Sequence, residues 1–108
     1  MTSFTILTAF LSLVGFVTTA GAQSTDPTIG RHLAETICST CHQIDASSPT
    51  PSPNSSAPSF VDVSRMPSTT ELSIKVFLRS PHPSMPDIIL SPDEIDSVAA
   101  YILSLARK

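Results

Sequence analysis

Cys38-Ser39-Thr40-Cys41-His42 constrains this chain more than any other stretch. Two cysteines two residues apart, followed at once by histidine, form the C-x-x-C-H pattern of covalent haem attachment. The chemistry needs this order. Each thiol adds to one vinyl group of a porphyrin, and the spacer sets the cysteines at the distance between those vinyls. The adjacent histidine then lies beneath the iron, where its imidazole can bind as the proximal axial ligand.

Other uses of the same residues fit poorly. A redox dithiol of the thioredoxin kind wants a βαβ context and a larger domain, and neither is visible. A tetrahedral zinc site needs four ligands, and no second Cys or Cys/His pair follows at ribbon spacing. A disulfide between Cys38 and Cys41 would close a very short loop and stabilise little. Both cysteines of the chain are thus assigned to haem c, one per chain.

At 108 residues the chain holds one small domain. Phe4 to Ala22 carries no charge and ends in Ala20-Gly21-Ala22, the small-x-small pattern of a signal peptidase site. The expected division is a signal peptide over residues 1–22 and a mature domain over 23–108. No Lys or Arg precedes the apolar run, which nearly reaches spanning length, so an uncleaved membrane anchor is the alternative. Once the peptide is removed, no stable membrane contact is expected. Export to the periplasm suits the chemistry, because in bacteria haem is ligated to cysteine outside the cytoplasm. The remaining 86 residues bury a modest fraction of their surface, and a domain of that size often needs a staple. Covalent haem, a large flat apolar body that helices can wrap, would be that staple.

Nine acidic residues against six basic ones give a net charge of −3, with lysine only at Lys75 and Lys108. Nucleic-acid binding would show a basic patch or stripe, and none is present.

Asp26-Pro27 reads as a helix start, with Asp as N-cap and Pro at the first helical position. Ile29, Leu33 and Ile37 recur every four residues on one face and run into Cys38. Gly30 and Ala34 lie beside them, small enough to let another helix approach. Residues 45–59 are nearly all Ser, Pro, Thr, Asn and Ala, and their prolines exclude regular structure, so a flexible surface loop is expected over 46–56. Phe60, Val61 and Val63 should pack on the haem or the core. Ser68-Thr69-Thr70-Glu71 reads as a capping box opening a second helix, with Leu72, Val76 and Phe77 as its apolar stripe. Ser80-Pro81 ends it. Ser91-Pro92-Asp93-Glu94 opens the last helix with a second capping box, and apolar residues follow at helical period from Ile95 to Ala106. No strand signal appears, so the fold class is all-α.

Haem iron held by one histidine has a second axial face. Met85 lies in the Pro83-Ser84-Met85-Pro86 loop between two helices, where a sulfur can be aimed at a fixed point. Met66 and His82 compete for the role, while His32 reads as a solvated residue of the first helix.

These residues together resemble the class I cytochromes c, mitochondrial-type and bacterial, over essentially the whole mature chain. The resemblance implies three main helices, with N- and C-terminal helices crossing beside a covalently bound haem. Gly30, eight residues before Cys38, matches the family's glycine at that crossing, and Ala34 stands where the family often has an aromatic residue. Val98 and Tyr101 match apolar and aromatic positions of the last helix. Ala57-Pro58-Ser59-Phe60 looks like the family segment whose proline carbonyl accepts the histidine Nδ1–H, with Pro53 a second possibility. The implied site is Cys38, Cys41, His42, Met85 and Pro58, with His42 and Met85 as the iron ligands. The family's ring of lysines around the haem edge cannot be built from two lysines. Arg65 and Arg79 are candidates to hold the propionates.

The implied function is a periplasmic, monohaem carrier of single electrons, without substrate turnover. Its redox partners would be an oxidase, a bc-type complex or a dehydrogenase. Two alternatives stand beside it: the cytochrome subunit of a periplasmic dehydrogenase, and a gas- or peroxide-binding protein with a labile sixth ligand.

Overall fold

Asp26 accepts the Thr28 N–H at 2.8 Å and Pro27 takes the first helical position, which starts α1 (Pro27–Ile37). A 3₁₀ turn over Cys38–Thr40 continues it. Three more helices follow: α2 (Phe60–Arg65), α3 (Glu71–Arg79) and α4 (Pro92–Leu105). The computed structural model describes residues 25–47, 51–54, 56–80 and 84–107. Among these there is no β-strand, and the domain is all-α. The expected signal peptide over 1–22, His82 and Lys108 lie outside the described residues.

The domain is organised by the crossing of α1 and α4. At Gly30 a Cβ would stand 1.9 Å from the Ser97 carbonyl oxygen and 2.9 Å from Tyr101 Cβ, so only glycine admits this approach. One turn on, Ala34 is fully buried, and Val98 and Ala99 are equally enclosed on the other side. Ile102 and Leu105 extend the seam, and Ile44, Phe60 and Ile74 close the core around it. A buried Ile or Leu side chain contributes about 1.5–3 kcal/mol. The half-exposed pairs of Arg31 with Glu35 (2.8 Å) and Asp45 (3.1 Å) add little beside that.

Small residues hold the centre of the α1 seam, with larger apolar residues beside it. On α1 the buried line is Gly30 and Ala34, continued by Cys38, while Leu33 and Ile37 sit at its margin and Ile29 is 52% exposed. Backbone contact with α4 decides this, because small residues must occupy the centre of so close a crossing. On α3 the buried residue is Ile74, with Leu78 packed against the core, whereas Leu72 is 70% exposed and Val76 and Phe77 are about half exposed. On the same helix Lys75 reaches Asp96 of α4 at 3.0 Å while also pairing with Glu71.

The caps explain two further differences. α3 begins at Glu71 because Thr70, two residues after Ser68, is the N-cap. Its hydroxyl accepts the Ser73 N–H at 3.1 Å, and Ser73 Oγ accepts the Thr70 N–H at 2.8 Å. The short α2 is a helix where the sequence pattern shows only an apolar stretch. Ser59 caps it, accepting the Asp62 N–H at 3.0 Å and donating its hydroxyl to Asp62 at 2.7 Å. Ser59-Phe60-Val61-Asp62 carries that signal in the sequence, at the end of a proline-rich run that obscures it. On α4 the Ser91–Glu94 box is in place, Ser91 N–H donating to Glu94 at 2.7 Å.

Candidate functional site

The five-residue motif is folded by the end of α1. Cys38 caps the helix, and its carbonyl then accepts both the Cys41 N–H (3.1 Å) and the His42 N–H (2.9 Å). Both thiols and the imidazole therefore rise from one tight turn. Cys38 is buried and Cys41 half-buried, and both are free thiols. Burial pushes the Cys38 thiol pKa up, and the negative end of the α1 dipole acts in the same direction. A reactive dithiol requires the opposite, a thiolate stabilised at a helix N-terminus or by a cation.

His42 is oriented from behind. Its Nδ1 lies 2.7 Å from the Pro58 carbonyl oxygen. A carbonyl can only accept, so Nδ1 carries the hydrogen and Nε2 is left bare as a metal ligand. The Phe60 ring stands 5.2 Å from the imidazole at 47°, and the Phe60 N–H donates to Gln43 O at 2.9 Å. α2 is thus tied directly to the residue after the histidine.

Cys38, Cys41, His42 and Pro58 are brought together by this geometry. Met85 is half-buried in the extended stretch between α3 and α4, followed by Pro86. Met66 caps the C-terminus of α2 and is 44% exposed. His32 is exposed on α1, and Arg65 and Arg79 are exposed in the last turns of α2 and α3.

Among the described residues no group of three or more His, Cys, Asp or Glu side chains could hold a metal ion. Two thiols and an imidazole of fixed tautomer on one turn fit a porphyrin iron held by covalent bonds and one axial nitrogen.

One residue that holds the site together carried no functional signal in the sequence. Tyr101, buried on α4, donates its hydroxyl to Ile44 O at 3.0 Å, two residues beyond His42. Its spacing on α4 marks a core residue, but the sequence does not show what its hydroxyl reaches.

The family model for cytochrome c matches residues 28–106. Cytochrome c-552 of Bradyrhizobium diazoefficiens is 36% identical over 86 residues, covering 80% of this chain and 81% of that protein. No solved structure matches. The motif turn, the crossing helices and these similarities agree: the chain belongs to the cytochrome c family, as a class I monohaem electron carrier with covalently bound haem c.

Proposed function

We propose that this protein is an exported carrier of the periplasm, with haem bound through Cys38 and Cys41 and iron ligated by His42 and Met85. When bound, the haem supplies a one-electron couple between ferric and ferrous iron. The chain's residues set how that couple behaves. Cys38 and Cys41 hold the group by thioether bonds at the end of α1, so it cannot leave while its edge faces a partner. The Nδ1–H bond to Pro58 stops the His42 ring from turning and strengthens its donor nitrogen. Met85 Sδ, in a loop stiffened by Pro86, offers a soft ligand that raises the potential relative to a second nitrogen. No residue is assigned to substrate turnover.

Partner docking follows from charge. With two lysines in the sequence, a dense basic ring is unavailable, so contact with an oxidase, bc-type complex or dehydrogenase is lightly charged and weakly steered. Among the described residues no helix is long and apolar enough to cross a membrane.

The observation that carries this reading is the His42 Nδ1 contact with Pro58 O, which prepares Nε2 for iron. The test is the visible spectrum of the ferrous protein with and without carbon monoxide. Sharp c-type bands indifferent to carbon monoxide are expected. Prompt binding would mean a labile sixth site and favour gas or peroxide chemistry. A colourless protein from a host able to attach haem would overturn the reading.

A further inference from the structure

We propose that Asn54 and Ser52 are positioning residues for the axial histidine, hooking the proline-rich loop onto Cys41 and Gln43 and so holding the Pro58 carbonyl against His42. The proposal rests on His42 being the iron ligand.

The loop after the motif reads as a flexible surface segment, yet its described residues are bonded to the motif itself. The Asn54 N–H donates to Cys41 O at 3.2 Å, and Ser52 Oγ accepts the Gln43 N–H at 2.9 Å. Cys41 and Gln43 are the two neighbours of His42. Both are therefore anchored to one three-residue stretch of the loop.

Asn54 also sets the path onward to Pro58. Its carbonyl accepts the Ala57 N–H at 3.0 Å, and its side-chain Oδ1 accepts the Ser56 N–H at 2.9 Å. Ala57 immediately precedes Pro58, whose carbonyl faces His42 Nδ1 at 2.7 Å. A short circuit results, running from Cys41 O to Asn54, from Asn54 to Ala57, and from Pro58 back to the imidazole. Pro58 is itself exposed and His42 half-buried, so water competes for this carbonyl unless the loop keeps it in place.

Chain statistics give the size of the effect. Unanchored, 16 residues separate His42 from Pro58. Anchored at Asn54, the free span to Pro58 is four residues. Closure probability varies with roughly the three-halves power of loop length, so losing the anchor should open the Nδ1–H···O bond about eightfold more often. A looser bond makes the imidazole a weaker donor to ferric iron, and the potential rises.

The experiment compares the haem-loaded wild type with the double variant Ser52→Ala/Asn54→Pro, which removes the Ser52 hydroxyl acceptor and the Asn54 N–H donor to Cys41. NMR of the ferrous protein gives the exchange rate of the His42 Nδ1 proton with deuterium, and a redox titration gives the potential. Exchange about eightfold faster is expected. The reduction equilibrium should move toward ferrous by no more than the same eightfold, tenfold being 59 mV for one electron. Ser52→Thr/Asn54→Asp, which keeps the hydroxyl, the side-chain oxygen and the N–H at position 54, should retain wild-type values. If the double variant does not fold, Ser52→Ala and Asn54→Pro alone must each move both readouts in the same direction. A haem-loaded variant with unchanged exchange and potential overturns the anchor and leaves His42 as ligand. A wild type whose spectrum carries no haem-shifted His42 Nδ1 proton overturns the ligand assignment itself.

Discussion

Replacing Gly30 with alanine tests the crossing on which the domain is built. The new Cβ would meet the Ser97 carbonyl oxygen at 1.9 Å and its carbon at 2.5 Å. These are backbone atoms in the second turn of α4, so no side chain can swing aside. Reaching an ordinary contact of about 3.4 Å requires the helices to separate there by about 1.5 Å. Gaps of about 0.5–1 Å already forfeit a quarter to a half of the dispersion energy at each contact. Ala34, Val98 and Ala99, all in that seam, would share the loss. Overpacking of this kind typically costs about 1–3 kcal/mol, and more where the backbone must move. Alanine's better helix propensity returns about 0.5–1 kcal/mol. A net loss of about 2 kcal/mol is expected, lowering Tm by about 8–16 °C for a domain of this size. Thermal unfolding of the haem-loaded protein by circular dichroism measures it. A variant as stable as the wild type, or more so, would refute backbone contact at Gly30.

Tyr101→Phe leaves the Ile44 carbonyl without its buried donor and should cost about 1–3 kcal/mol in denaturant unfolding, with helix content unchanged. Asp26 is held below the ordinary carboxylate pKa by its bonds to Thr28. Its contribution is therefore present above the unfolded-state value and lost as pH falls through the folded one. Asp26→Ala should lower Tm at neutral pH, with the gap to wild type closing on acidification below about pH 4. Lys75 is held above its usual pKa by hydrogen bonds to Glu71 and Asp96. Lys75→Met should destabilise through the buried Asp96 oxygen it strands, and adding Asp96→Asn should recover part of the loss in a double-mutant cycle. Met85→Ala should let the ferrous protein bind carbon monoxide, whereas unchanged ligation would shift the sixth-ligand assignment to Met66 or His82.

What was legible in the sequence was what local chemistry decides. Asp26-Pro27 and Ser91-Pro92-Asp93-Glu94 begin helices because their side chains satisfy the first N–H groups, whatever lies around them. Cys38-x-x-Cys41-His42 announces haem by its spacing alone. The centre of the α1 seam is not legible from periodicity. Ile29, Leu33 and Ile37 form a better apolar line than Gly30 and Ala34, yet the small residues are the ones fully enclosed because a partner backbone comes within contact. The loop over 45–59 misleads for the same reason. Its composition excludes helix and sheet, but says nothing of hydrogen bonds to a backbone nine or more residues earlier.

Those distant contacts bear on electron transfer. In its proposed role as axial ligand, His42 contributes little to reorganisation only if its ring and backbone stay where they are when the iron changes charge. His42 follows a helix whose own position depends on Gly30 and α4. Two residues after it, Ile44 is pinned to the same α4 by Tyr101. Between them, Gln43 is bonded on its N–H by Ser52 and on its carbonyl by Phe60. The histidine backbone is thus fixed on both sides by elements remote in sequence, and its ring by Pro58. In so small a domain this rigidity cannot come from a deep core. It comes from single hydrogen bonds placed on either side of one residue, so loosening any one should disturb the potential before it unfolds the protein.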